Sequence, residues 1–226
     1  ANPYDFTLSD ETAGDYTAVY LAPTLDKLSF TLNDDGETYS VKALNTDIEG
    51  EVVIPSTYEG KSVTSIENEA FECCDKIASV IIPDSVTSIG SYAFDTCRSL
   101  ISVIIPNSVI SIKSSAFASC SSLTSVIIPE LVTSIEKSLF EYCSSLKSVT
   151  IPNSVTSIGE SAFESCKDLT NIIIPNSVTN IGDDAFYGCS KLVSIIIPNG
   201  LTNIGDSAFN YCLLYTSPSP RDRTRS

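Results

Sequence analysis

At 226 residues the chain has room for one or two domains, and 28 acidic against 13 basic residues give it a formal charge of −15. That charge excludes the clustered cations that nucleic-acid phosphates need. The absence of histidine removes the commonest general base and metal ligand, so most hydrolase triads fall away. A 42% hydrophobic share and a mean hydropathy of +0.15 require a packed core rather than a disordered chain.

The first residues, Ala1-Asn2-Pro3-Tyr4, form neither the basic nor the apolar region of a signal peptide, so a leader is either removed or never existed. The chain contains no Met, which reads as a piece of a longer frame. No run reaches 18 apolar residues, so no membrane span is expected. No N-x-[ST] sequon occurs, which disfavours a glycosylated ectodomain without excluding secretion. Residues 1–50 do not repeat and are strongly acidic. Phe30-Thr31-Leu32 and Tyr39-Ser40-Val41 alternate around Asn33-Asp34-Asp35-Gly36, the pattern of a β-hairpin. Its expected role is to cap the first unit of the repeat that begins at residue 51. Calcium at this turn is not expected, because with Gly36 at loop position six the first and twelfth positions would be Thr31 and Lys42.

From residue 51 a repeat dominates. Phe71, Phe94, Phe117, Phe140, Phe163, Phe186 and Phe209 stand 23 residues apart. Ile66 to Ile204, Pro83 to Pro198 and Cys74 to Cys212 keep the same interval without an insertion. Four residue types in phase over seven units define a stack of short coils, because a unit of this length cannot bury its apolar side alone. In the unit Leu100 to Ser122, numbered as places 1 to 23, apolar residues fall at places 1, 4, 6, 10, 13, 17, 18 and 21. Val-Ile-Ile-Pro is a short strand ended by a residue without an N–H donor. Ser-Ala-Phe-x-x-Cys reads as one helical or 3₁₀ turn. Gly at place 14 alternates with Lys113 and Glu136, so left-handed backbone is not obligatory there. Pro55 lies 16 residues before Phe71 instead of 11, which places a five-residue insertion in a loop of the first unit containing Gly60. Leu139 stands where other units have Ala, and local overpacking or a shifted turn is expected.

The unit Leu169 to Lys191, LTNIIIPNSVTNIGDDAFYGCSK, resembles the BspA-like class of leucine-rich repeats, over residues 52–212. The resemblance implies a mostly β leucine-rich-repeat solenoid: a parallel strand ladder on one side, short helical or 3₁₀ turns on the other, an N-terminal β cap. It also implies a secreted or surface-displayed adhesion module that binds a protein or extracellular-matrix ligand on its concave strand face.

Places 4 and 6 of the strand point inward, so place 5 points out. Place 5 holds Ile81, Ile104, Ile127, Thr150, Ile173 and Ile196, a stripe roughly 25 Å long at about 4.8 Å per coil. Ser102, Ser125 and Asn171 stand beside it at place 3, with Ser79, Ser148 and Ser194 in the remaining units. Asp84, Asn107, Glu130, Asn153, Asn176 and Asn199 form a polar rail past the Pro. An apolar strip with a polar margin is interface-like, although Ile at place 5 also suits strand propensity and duplication copies surfaces. The near-uniform units fit avidity or scaffolding better than a tuned pocket. A cytoplasmic scaffold is the alternative reading, kept open by the thiols and the missing sequons. Ice binding by Thr64, Thr87, Thr133, Thr156, Thr179 and Thr202 fits poorly, since Ile110 interrupts a single rank.

Seven of the eight Cys occupy one inward place and are expected to be unpaired buried thiols, with Cys73 the exception. No zinc, other metal or cofactor site is expected from a spacing of 23 without His. No G-x-S-x-G, GxGxxG, P-loop or HExxH occurs, and the one acid pair of the repeats, Asp183-Asp184, suits a solvated face. These absences point to a non-catalytic, monomeric module. After Cys212 the pattern breaks, and residues 213–226 gather Arg221, Arg223 and Arg225. This segment is expected to be a disordered tail of foreign linker sequence, or else a native basic tail. If it is foreign, further repeats or a cap would succeed Cys212.

Overall fold

The structure, a computed structural model, describes residues 24–213. Residues 1–23 of the acidic N-terminal segment and 214–226 of the tail lie outside the described residues.

Seven coils stack in register: 49–76, 77–99, 100–122, 123–145, 146–168, 169–191 and 192–213. Each coil contributes two short strands. The first is β3 (Glu49–Val53), β6 (Lys76–Ile81), β8 (Ser102–Ile104), β10 (Ser125–Ile127), β12 (Ser148–Thr150), β14 (Asn171–Ile173) and β16 (Ser194–Ile196), the longer of the two from β6 onward. The second is β5 (Lys61–Ile66), β7 (Ser88–Ile89), β9 (Ser111–Ile112), β11 (Ser134–Ile135), β13 (Ser157–Ile158), β15 (Asn180–Ile181) and β17 (Asn203–Ile204). Pairing between coils is parallel with like residues opposite each other, for example Val80↔Val103 and Ile158↔Ile181. The chain is thus a mostly β leucine-rich-repeat solenoid.

The 23-residue period places each core residue on its own copy. Phe71, Phe94, Phe117, Phe140, Phe163 and Phe186 are fully buried. Their rings, continued by Phe209, run in one file with centroids 5.0 to 5.8 Å apart and planes within 15° of parallel. Ile66 through Ile181 and Leu100 through Leu192 form companion files inside. Such ladders remove from water the apolar side that one coil alone would expose.

The turn segment differs from the helical turn that Ser-Ala-Phe-x-x-Cys suggests. Residues at places 16 and 20 are left-handed: Tyr92 and Thr96 have φ of 58° and 61°, Ser115 and Ser119 of 58° and 56°. A left-handed residue every fourth position breaks an α-helix. It also turns alternate N–H groups along the solenoid axis. Tyr92 N donates to Ser114 O (3.1 Å), Phe94 N to Ala116 O (2.8 Å) and Thr96 N to Ala118 O (2.9 Å). The turn edge is therefore a third hydrogen-bonded ladder, and this satisfies backbone groups that a lone turn would leave open.

Gly90, at place 14, does not have positive φ. A Cβ built there would lie 2.5 Å from the backbone N of Asn68. Glycine serves close approach between coils at this place.

The N-terminal hairpin joins β1 (Leu28–Leu32) to β2 (Thr38–Ala43), antiparallel, and is preceded by a 3₁₀ turn (Leu25–Lys27). β2 pairs parallel with β5 and brings Val41 beside Ile66, so the hairpin covers the core of the first coil; Val41 is fully buried. Asp35 accepts from Glu37 N, Thr38 N and Thr38 Oγ1 at 2.7 to 2.9 Å. These bonds, the Thr38 hydroxyl first, hold its carboxyl below the usual range and commit it to the turn. The five-residue insertion forms a second small hairpin, β4 (Thr57–Tyr58) against β5. Glu59 and Gly60, both with positive φ, make its two-residue turn. Tyr58 stacks on Phe30 at 4.0 Å and meets Tyr39 edge-on at 5.1 Å, and Lys61 Nζ donates to Gly36 O. The insertion clasps the cap to the stack.

Candidate binding face

The first strand of each inner coil alternates exposed, buried, exposed. The buried member is Val103, Val126, Val149 or Ile172, and it anchors the strand in the core. The outer members are then fixed on the surface by the two-residue period of the strand. Ile104, Ile127, Ile173 and Ile196 are 54%, 70%, 74% and 72% exposed, and Thr150 is exposed among them. Ile81 is only half-buried, beside Val53 of the first coil, and Ser79 next to it donates to Glu51 Oε2 at 3.4 Å. Ser102, Ser125 and Asn171 are exposed on the same face. Asp84, Asn107, Glu130, Asn153, Asn176 and Asn199 are exposed as a rail along its margin.

The pairing brings Ile81 directly beside Ile104, Ile127 beside Thr150, and Ile173 beside Ile196. It does not join these three sections, since β8 and β10 are unpaired, as are β12 and β14. Places 3 and 5 of coils two to seven carry no charge. The face is therefore a neutral, apolar and hydroxyl surface on a protein of strongly negative charge.

The Thr rank lies on the other strand ladder. Four of its six hydroxyls are already used: Thr87, Thr156, Thr179 and Thr202 each donate to the carbonyl of the matching residue one coil earlier, at 2.8 to 3.3 Å. Ser108, Ser154 and Ser177 do likewise to Val86, Val132 and Val155. These side chains hold coils together, a role that sequence reading did not assign. The pattern Ser-Val-Thr at a fixed place was its signal.

A groove of about 450 Å³ lies on that second ladder, lined by Ser65, Glu67, Asn68, Ser88, Gly90 and Lys113. Burial pushes the Glu67 carboxyl up, but bonds from Thr31, Ser40 and Lys42 outweigh it and keep it ionised below the usual range. Its charge is thus spent within the protein.

All eight thiols are free. Each ladder thiol from Cys97 to Cys212 donates to the Phe carbonyl of the preceding coil, at 3.1 to 3.2 Å. Burial pushes Cys74 up to about 11, and Cys97, Cys120, Cys143 and Cys166 higher still. Cys73 is exposed, yet burial of its sulfur and the carboxylates of Glu72, Asp95 and Asp75 raise it too. A thiol needs the opposite surroundings to act as a nucleophile. Among the described residues no group of three or more His, Cys, Asp or Glu is placed to hold a metal ion, and no helix is long and apolar enough to cross a membrane.

The family model for the BspA type leucine rich repeat region matches residues 51–170 and 157–222, in six copies. The chain belongs to the BspA-type leucine-rich repeat family. Among solved structures, this BspA-type chain is similar to a leucine-rich repeat protein of T. pallidum, at 30% identity and a TM-score of 0.80 over 88% of this chain and 92% of that one. It is also similar to a leucine-rich repeat protein of Bacteroides ovatus (28% identity, TM-score 0.64, 84% of this chain). A third is a leucine rich cell surface protein of Faecalibacterium prausnitzii (35%, 0.56, 75%). The chain spans 56% and 52% of the length of the latter two. No match was found among curated proteins. The family and fold are repeat scaffolds of the kind that bind proteins.

Proposed function

We propose that this BspA-type protein is a non-catalytic adhesion module, secreted or displayed on a cell surface. In this reading it docks a protein or extracellular-matrix ligand on the neutral strand face, as a monomer and without nucleic acid, metal or cofactor. The observation that carries the reading is the row Ile104, Ile127, Ile173 and Ile196, more than half exposed on strands whose alternate residues are buried or, at Ile195, partly buried. Large apolar side chains held in a row on strands are what an interface core requires, and the Asn-rich rail supplies a polar rim. The likeness to a cell surface protein of Faecalibacterium prausnitzii supports the placement outside the cell. Charge acts in the same direction, since this row is uncharged on a strongly acidic body.

The test is a triple variant, Ile104→Lys, Ile127→Lys and Ile173→Lys, presented with the parent protein to a panel of immobilised matrix proteins. Capture by the parent and its loss in the variant at unchanged melting temperature is the expected result. Equal capture by both refutes docking on this face. A cytoplasmic scaffold is the second reading, favoured by eight free thiols in one chain.

A further inference from the structure

Hydrogen bonding between coils is not uniform along the stack. At most junctions the second strand of one coil pairs with that of the next, and two further bonds flank the pair. Between 123–145 and 146–168 these are Thr156 N to Thr133 O (2.9 Å) and Gly159 N to Ile135 O (2.8 Å). Between 100–122 and 123–145 neither counterpart exists, from Thr133 N to Ile110 O or from Glu136 N to Ile112 O, and β9 and β11 are unpaired. The first strands, β8 and β10, are unpaired at the same junction. Among the described coils it is the one junction where both strand ladders stop. On its strand side Thr124 alone reaches across, from N and Oγ1 to Ile101 O at 3.3 and 3.4 Å, and Ser145 N donates to Ser121 O at 3.2 Å where the turn runs back into the strand.

The turn edge behaves differently. There Ser115 N, Phe117 N and Ser119 N donate to Lys137 O, Leu139 O and Glu141 O at 3.0, 3.1 and 2.7 Å. The Phe117–Phe140 step is the widest of the Phe file, at 5.8 Å.

Three substitutions that meet in coil 123–145 account for the break. Glu136 stands at place 14; a Cβ at the equivalent Gly159 would lie 2.7 Å from Lys137 N, so Glu136 carries a side chain where the backbones need to close. Leu131 replaces the Ser whose hydroxyl in three other coils, at Ser108, Ser154 and Ser177, donates to the preceding coil at 2.6 to 2.7 Å. Leu139, fully buried, replaces Ala and pushes the stack apart. Lys113 also carries a Cβ at place 14 and keeps its bond to Ile89 (3.0 Å), so one such change alone does not suffice.

We infer that the junction between Ser122 and Leu123 is a hinge: its spine is the bonded turn edge, and it opens on the strand side. The hinge divides the strand face into two rigid panels, one ending at Ile104 and the other starting at Ile127. The angle between them sets the curvature that a long partner meets. A partner lying across both panels fixes that angle and loses the freedom of the hinge on binding. The hinge is a property of the protein alone and does not depend on what docks.

Hydrogen exchange followed by mass spectrometry tests this on the whole chain. Amides in 131–137 are expected to exchange at least tenfold faster than those in 154–160, the same places one coil later. The variant Leu131→Ser/Glu136→Gly is expected to slow 131–137 to within threefold of 154–160. Equal rates in the parent protein overturn the hinge, whether or not the variant folds. Fast exchange that the folded variant leaves unchanged overturns the assignment to these residues.

Discussion

The thiol of Cys97 donates to the carbonyl of Phe71, 3.1 Å away on the coil before, and five further Cys–Phe pairs copy this contact up the stack. Phe71 O also accepts from Cys74 N, so the thiol uses its second lone pair. Cysteine combines the small apolar volume the core needs with a weak donor for a carbonyl that Ala would leave half-satisfied. Cys143→Ala is expected to cost about 1–2 kcal/mol through lost volume and the lost bond, read as a shift in the denaturant midpoint.

Alkaline pH should unfold the protein. Five of the ladder thiols have folded pKa values raised by burial above their ordinary value of 9.0, to about 11 for Cys74 and further for Cys97, Cys120, Cys143 and Cys166. Below pH 9 both folded and unfolded thiols are protonated, and stability is complete. Above it the unfolded chain ionises while the folded one does not. Each thiol then removes about 1.4 kcal/mol per pH unit. Melting at pH 8, 9 and 10 is expected to show a steep fall that begins near pH 9, and Cys143→Ala should lessen it.

Gly159→Ala tests close approach. The new Cβ would stand 2.7 Å from Lys137 N, with backbone rather than a flexible side chain in the way. A loss of about 1–3 kcal/mol is expected by denaturant titration. A change smaller than about 0.5 kcal/mol would show that the coils part without cost.

The clasp predicts local rather than global loss. Tyr58→Ala removes the stack on Phe30 and the edge contact with Tyr39. Such aromatic pairs contribute about 0.5–1.5 kcal/mol each beyond area burial. Exchange at the β1–β2 hairpin is expected to rise, with the coils from 146 onward unaffected.

The stack was legible in the sequence because a strict period places like residues on one file: Phe94, Ile89 and Leu100 announce their burial by recurrence. The exposure of Ile104 and Ile127 was legible from strand alternation alone. The turn was not. Places 16 and 20 hold Tyr92, Thr96, Ser115 and Ser119, ordinary residues whose left-handed backbone is imposed by bonds to the next coil. Leu139 was visible as an exception, and the Phe file does widen around it, to 5.8 and 5.6 Å. That its effect combines with Glu136 and Leu131 to break two ladders emerges only when places nine to seventeen are seen folded together.

The docking account is tested most directly by a photo-crosslinker placed in turn at Ile127, at Ile173 and, on the turn edge, at Glu164, with the protein bound to the matrix protein that it captures. The account predicts adducts from the first two positions and none from the third. Adducts from Glu164, with none from Ile127 or Ile173, would contradict it.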